Sequence, residues 1–345
     1  MQIGSFEINS TSPVFIIAEL SANHNGNLET AIETIKAAKR AGANCIKLQT
    51  YTPDTITIDS SNKDFLIDGT IWHGKNLYKL YQEAYTPWEW HHKLFQTAHD
   101  EGLICFSSPF DKSAVDFLEE LNTPAYKIAS FEITDIPLIE YAASKGKPII
   151  LSTGISDLND IELAINACRR MGNNDIALLK CTSSYPAPMD EANLIMIKDF
   201  EKRFGVVSGL SDHTIGIVAP IIAVNLGAKI IEKHFILDRS IGGPDASFSL
   251  NELEFASMVN AIRETQVALG KVDYELTAKQ IKGRDFSRSL YVVEDALAGE
   301  VITENIVRSI RPGFGMHPKY LPSILGKELV MNVKKGTRFD WSLIK

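Results

Sequence analysis

A parallel (β/α)8 TIM barrel followed by a small separate module is the architecture that this 345-residue sequence predicts. Three observations predict it. A short β-rich apolar run, an amphipathic segment and then a glycine recur about eight times through residues 1–270. The runs are almost continuously apolar rather than alternating, as strands covered by helices should be. After Gly270 the rhythm stops and turn-rich stretches take over, which divides the chain into a barrel at 1–270, a linker at 271–285 and a module at 286–345. A doubly wound open sheet is the alternative; against it, no G-x-G-x-x-G follows the first run and the count of units suits closure.

The runs fall at 15–19, 45–50, 104–108, 125–130, 149–153, 176–181, 206–211 and 229–235. Between the first two, Leu28, Ala31, Ile32, Ile35 and Ala38 share one face of a helix predicted over 27–41. Gly42, Gly102, Gly146, Gly172, Gly205 and Gly227 each follow such a segment, where a left-handed residue ends a helix. Residues 272–284 are polar and charged, hence the linker; beyond them 289–293 and 330–333 read as short β stretches. Two parts of the tail look alike, A-L-A-G-E-V-I-T-E-N-I ending at Ile306 and N-V-K-K-G-T-R-F-D-W-S-L-I ending at Ile344. Such a quasi-repeat suggests one small compact unit.

Composition narrows the function classes. Apolar residues make up 45% and charged residues 23%, enough to bury a sizeable core. A formal charge of −8 argues against the basic face that nucleic acid needs and leaves room for local basic pockets. Cys45, Cys105, Cys168 and Cys181 show no C-x-x-C spacing and mostly sit in apolar runs, so a reducing, cytoplasmic location is expected rather than a disulfide framework. The first 20 residues lack the pattern of a signal peptide, and no apolar stretch reaches the roughly 20 residues that span a bilayer, so no membrane role is expected.

In such a barrel the chemistry lies at the C-terminal ends of the strands. That edge is crowded here: Glu19, Asn23 and His24 after the first run, Lys47 and Gln49 on one face of the second, Ser107 and Ser108 on the third. Lys127, Ser130 and Glu132 follow on the fourth, Ser152 and Thr153 on the fifth, Lys180, Ser183 and Tyr185 on the sixth, then S-D-H at 211–213, and Glu232 with His234. One polar residue at a strand end is unremarked packing; a whole ring of them is expensive to desolvate unless a ligand or metal meets it. His213 and His234 follow adjacent runs and can point into one mouth, as ligands of a divalent metal or as a hydrogen-bonded pair. Lys47 and Lys127, flanked by Ser130, Ser152 and Ser211, suit a phosphate or carboxylate; a Schiff-base lysine is the competing reading. Glu19 and Glu132 can shuttle protons, ligate the metal or pair with a lysine. His91, His92 and His99 lie on a predicted helix and are expected to be solvated or half-buried.

The motifs I-I-A-E-L-S-A-N-H-N-G at 16–26, I-K-L-Q-T at 46–50, F-S-S-P-F at 106–110, A-Y-K-I-A-S-F-E at 125–132, G-L-S-D-H-T at 209–214 and E-K-H-F at 232–235 resemble the sialic-acid synthase family. Within it, Q-T-Y-T-P-D at 49–54, K-C-T-S-S-Y-P at 180–186 and F-S-R-S-L-Y at 286–291 are most similar to the pseudaminic acid synthase branch. The resemblance runs through the whole chain, and I-R-P-G-F-G at 310–315 looks like the family's C-terminal antifreeze-like (SAF) domain. It implies a metal-dependent condensation of phosphoenolpyruvate with an amino-sugar aldehyde, in that branch 2,4-diacetamido-2,4,6-trideoxy-L-altrose. An N-acetylneuraminate or legionaminate synthase differs only in the acceptor. The same resemblance implies that His213 and His234 hold Mn2+, Co2+ or Mg2+, and that Lys47, Ser108, Lys127, Ser130, Ser152 and Ser211 bind phosphoenolpyruvate. Gln49, Ser183, Tyr185 and Asp245 then face the sugar, Glu19 and Glu132 carry acid–base work, and Arg311 reaches across a domain-swapped homodimer.

Overall fold

The computed structural model describes residues 1–69 and 72–345, which form two compact units, Met1–Gly270 and Lys271–Lys345. The first opens with a small antiparallel hairpin, β1 (Gln2–Ile3) and β2 (Phe6–Glu7). Eight parallel strands then close into a barrel: β3 (Phe15–Glu19), β4 (Cys45–Thr50), β5 (Ile104–Pro109), β6 (Tyr126–Ile128), β7 (Ile149–Ser152), β8 (Ile176–Cys181), β9 (Val207–Asp212) and β10 (Ile230–His234). Closure is between β10 and β3, with Glu232 opposite Ile17 and His234 opposite Glu19. The expected barrel is therefore present, and all eight runs fall on its strands.

Alternation along each strand divides the side chains between two cores. Outward residues such as Ile16, Ile46, Leu210 and Ile231 pack on the surrounding helices, including Leu28–Arg40 and Glu252–Leu269. Inward residues Phe15, Ile17, Cys45, Phe106, Ile150, Ala177 and Ile230 fill the N-terminal half of the barrel, and Ile3 of β1 and Ile8 just after β2 join them as a floor. Above that apolar plug the inward positions turn polar: Glu19, Lys47, Lys127, Ser152, Ser211 and Glu232, all buried. The six glycines that follow helices all have positive φ, from 65° at Gly205 to 103° at Gly227, the backbone state that glycine adopts without a Cβ penalty. Gly209 serves differently, since a Cβ there would strike the backbone of β10.

The fourth strand is shorter than its apolar run. Pairing stops at Ile128, and Ser130–Glu132 winds into a 3-10 turn that points Ser130 towards β7. His91 departs from expectation: it is fully buried, with Nε2 2.9 Å from Thr50 Oγ1, because its helix Trp88–Asp100 turns that face inwards.

The second unit contains β11 (Ser289–Val292) and β12 (Val307–Ile310), paired antiparallel, around a core that includes Leu290, Val292, Ile302, Val333 and Phe339. Its two similar halves meet reciprocally: Ala296 N–H donates to Val333 O at 3.0 Å, and Val333 N–H to Ala296 O at 2.9 Å. Gly299 N–H to Leu329 O and Gly336 N–H to Val292 O repeat the relation, at 2.7 and 2.8 Å. The stretch at 330–333 is not a strand; its β character is confined to the bridge between Ala296 and Val333. Within the segment expected as a linker, a short helix forms at Ala278–Gly283, capped by Thr277.

Candidate active site

The polar ring lies at the C-terminal edge of β3–β10 because period-two alternation aims Glu19, Lys47, Gln49, Lys127, Ser211, Glu232 and His234 inwards. Its centre is a residue the sequence did not single out for a role. Glu232 accepts from Ser211 Oγ at 2.9 Å and lies 3.6 Å from both Lys47 Nζ and Lys127 Nζ through the same oxygen, while its Oε2 has no hydrogen-bond partner among the described residues. Burial works against its charge, yet the two ammonium groups outweigh burial and keep Glu232 ionised below the ordinary range. The signal lay in I-I-E-K-H-F: residue 232 shares the face of His234, and the cross-strand register puts it opposite Ser211.

Lys47 reaches Glu19 Oε2 at 2.6 Å and donates to Ser108 Oγ at 3.3 Å. Burial disfavours its charge, but Glu19 and Glu232 more than restore it, and its pKa is raised. Lys127 has less compensation, so burial prevails and its pKa is lowered. Ser130 Oγ accepts from Gly154 N–H at 3.1 Å, and Ser152 Oγ is buried without a partner among the described residues. Lys47, Ser108, Lys127, Ser130, Ser152 and Ser211 thus line one buried region, whereas Lys180 is held by the Cys181 carbonyl at 2.6 Å.

Two carboxyls are poised near neutrality. Glu19 is raised from 4.5 to about 7 by burial, with Lys47 opposing and Glu232 assisting. Glu132 is also raised by burial to about 7, and its Oε2 has no hydrogen-bond partner among the described residues. Gln49 Nε2 donates to Glu19 Oε1 at 3.1 Å and to Ser21 Oγ at 2.9 Å. Ser21 Oγ in turn donates to Asp245 Oδ2 at 2.5 Å.

His213 and His234 face each other with ring centroids 5.2 Å apart. His213 Nδ1–H donates to Thr182 O at 3.1 Å, which leaves Nε2 to carry a lone pair when the ring is neutral. Burial pushes the His213 imidazolium down, but the Cys181 thiol group, 3.7 Å from Nδ1, and the Thr182 carbonyl reverse this and raise its pKa. Burial holds His234 neutral, and its buried Nδ1 has no hydrogen-bond partner among the described residues; Asp245 Oδ2 is 3.7 Å away. A buried neutral imidazole lacking a partner is the donor that a divalent metal requires, and the backbone bond on His213 is the usual device for orienting a metal-binding ring. Among the described residues no third His, Cys, Asp or Glu completes a ligand cluster. The pair therefore fits an open two-imidazole site, where water or substrate supplies the remaining ligands, and does not fit a closed structural one.

An aromatic wall flanks the imidazoles: Tyr185 lies 4.5 Å from His213 and 5.3 Å from Phe248, and Phe248 lies 5.0 Å from His234. Ser183 Oγ is 3.8 Å from Cys181 Sγ. The barrel residues that the family resemblance assigns to the site fall on this mouth or its loops, whereas Ser107 faces the other way, its Oγ 2.6 Å from Thr50 Oγ1. Arg311 belongs to the second unit, where it is exposed just after β12.

Known proteins share this architecture. Residues 34–274 match the NeuB family model. The chain is 48% identical over 336 residues to the pseudaminic acid synthase of Campylobacter jejuni, spanning 97% of each. It is 49% identical over 326 residues to that of Helicobacter pylori, spanning 94% of this chain and 96% of the other. The crystal structure of N-acetylneuraminic acid (sialic acid) synthetase from Leptospira borgpetersenii superposes with a TM-score of 0.73 at 32% identity, over 82% of this chain and 94% of that one. The chain belongs to the NeuB family of sialic-acid synthases.

Proposed function

We propose that the protein condenses phosphoenolpyruvate with 2,4-diacetamido-2,4,6-trideoxy-L-altrose and water, giving pseudaminic acid and inorganic phosphate. The observation that carries this reading is the pair of buried ammonium groups, Lys47 and Lys127, sharing the Glu232 carboxylate at 3.6 Å beside two facing imidazoles. With Ser108, Ser130, Ser152 and Ser211 they offer charge-assisted and hydroxyl donors to a ligand bearing both phosphate and carboxylate. Identity of 48–49% along nearly the whole chain to the Campylobacter and Helicobacter enzymes supports the acceptor sugar.

In the reaction, C3 of phosphoenolpyruvate bonds to the aldehyde carbon, whose oxygen takes up a proton. Water adds to C2 and loses a proton; the resulting hemiketal phosphate breaks its C2–O bond, releasing phosphate and leaving the 2-keto acid. Holding both substrates in one closed-bottomed mouth makes the first step effectively unimolecular. Glu19, near its midpoint at neutral pH and fixed by Lys47 and Gln49, is suited to take the proton from water. Glu132, raised similarly, is suited to return one. Gln49, Ser183, Tyr185 and Asp245 form the sugar side. His213 and His234 would hold a divalent ion, Mn2+, Co2+ or Mg2+, which when bound polarises the aldehyde oxygen.

The second unit is read as an antifreeze-like (SAF) module whose Arg311 completes the site of the other subunit in a domain-swapped homodimer. Four buried free cysteines support a reducing, cytoplasmic location, and among the described residues no helix is long and apolar enough to cross a membrane. The test is phosphate release from phosphoenolpyruvate with each of the altrose, N-acetylmannosamine and the legionaminic acid precursor. Release with the altrose as the preferred acceptor is expected; preference for another sugar overturns the acceptor, and none with any sugar overturns the reaction. Borohydride trapping of substrate on Lys127 would instead favour the Schiff-base reading. Mixed dimers of Arg311→Ala and His234→Ala chains should regain one working site; no recovery rules out the swap.

A further inference from the structure

Ser21 is strained where strain is unexpected. Its φ is 47°, in the left-handed region that favours glycine, although it is a non-glycine residue buried to 4% exposure. The turn that holds it is tied down: Asn23 Nδ2 donates to Phe235 O and to Ser249 Oγ, each at 2.9 Å, and Ser249 Oγ donates to the Asp245 carbonyl at 2.7 Å. Glycine would fit this backbone with less strain, so the side chain itself calls for an explanation. Its hydroxyl receives Gln49 Nε2 at 2.9 Å and donates to Asp245 Oδ2 at 2.5 Å, and the same Gln49 nitrogen donates to Glu19 Oε1 at 3.1 Å.

We infer that Ser21 is a positioning residue: its hydroxyl couples the acid–base carboxyl Glu19, through Gln49, to the sugar-facing carboxyl Asp245. This inference rests on the reaction proposed above. The donors and acceptors are directional. With one Gln49 amide proton on Glu19 and the other on Ser21, the Ser21 proton is left for Asp245, whose Oδ2 is thereby held 3.7 Å from His234 Nδ1. The partners of the hydroxyl, Gln49 and Asp245, both belong to the sugar side, so its influence falls on the acceptor.

Two variants separate the hydroxyl from the backbone. Ser21→Ala loses the hydroxyl and keeps a Cβ in the left-handed region; Ser21→Gly loses the hydroxyl and relieves the strain. The glycine variant should melt about 2 °C above the alanine variant. Both should nevertheless show the same defect: kcat/KM for the acceptor down about 10- to 100-fold, with KM for phosphoenolpyruvate within about twofold of wild type. Wild-type acceptor kinetics in Ser21→Gly would overturn the inference, since the hydroxyl would then be dispensable. An equal rise in KM for both substrates would also overturn it. A wild-type protein that releases no phosphate with any acceptor sinks the underlying reaction, an outcome distinct from either.

Discussion

Replacing Glu19 with glutamine probes the electrostatics of the mouth without disturbing its shape. Burial raises this carboxyl from 4.5 to about 7, so ionising it in the folded chain is harder than in the unfolded chain by about 3 kcal/mol. The sign follows from proton counting. Below pH 4.5 both states hold the proton and no penalty exists; as pH rises towards 7 only the folded state still binds it, and stability falls; above 7 the full penalty stands. Urea unfolding at about pH 5 and about pH 8 should therefore show wild type losing about 2–3 kcal/mol more than Glu19→Gln across that interval. Glu132 titrates in the same direction in both proteins and cancels in the comparison. Lys47 keeps Glu232 at 3.6 Å in the variant, which limits the collateral loss. Equal pH dependence in the two proteins would refute the reasoning, because burial would then not be setting the Glu19 pKa.

Lys127→Met should raise KM for phosphoenolpyruvate about 100-fold or more, since it removes one of the two ammonium groups that Glu232 holds; steady-state kinetics check it. His234→Ala should weaken Mn2+ binding about 100-fold, read from the free-ion electron paramagnetic resonance signal, and chelation of the wild-type protein should abolish phosphate release until Mn2+ is restored. Gly209→Ala sets a methyl group against the Ile230 carbonyl oxygen and 2.6 Å from Leu179 Cδ2. A destabilisation of about 3 kcal/mol and a melting point about 5 °C lower are expected, by calorimetry.

The barrel was legible because its signals are local. Continuous apolar runs, and glycines of positive φ, mark strands and helix ends without knowledge of tertiary contacts. The inward set follows from counting by two along each strand, which puts Lys47 and Gln49 on one face. What escaped depends on register and on rotation about helix axes. Glu232 acquires its role only when β10 is set against β9 so that Ser211 lies opposite it. His91 is buried because the helix Trp88–Asp100 presents that face to Thr50, a choice not written in one short segment. The hydroxyl of Ser21 matters through partners more than 25 residues distant, and a left-handed serine leaves no compositional trace. In the tail, the repeat was visible, but its β character was overestimated because reciprocal bridges, not extended ladders, join the halves.

The hairpin β1–β2, with Ile3 and Ile8 wedged among Phe15, Phe106 and Ile150, stops up one end of the cylinder. Ligands are consequently expected to enter and leave by the opposite end, the C-terminal mouth of the strands. Bulk added beside Tyr185 and Phe248, which stand on loops at that mouth, would therefore obstruct the way in and the way out alike.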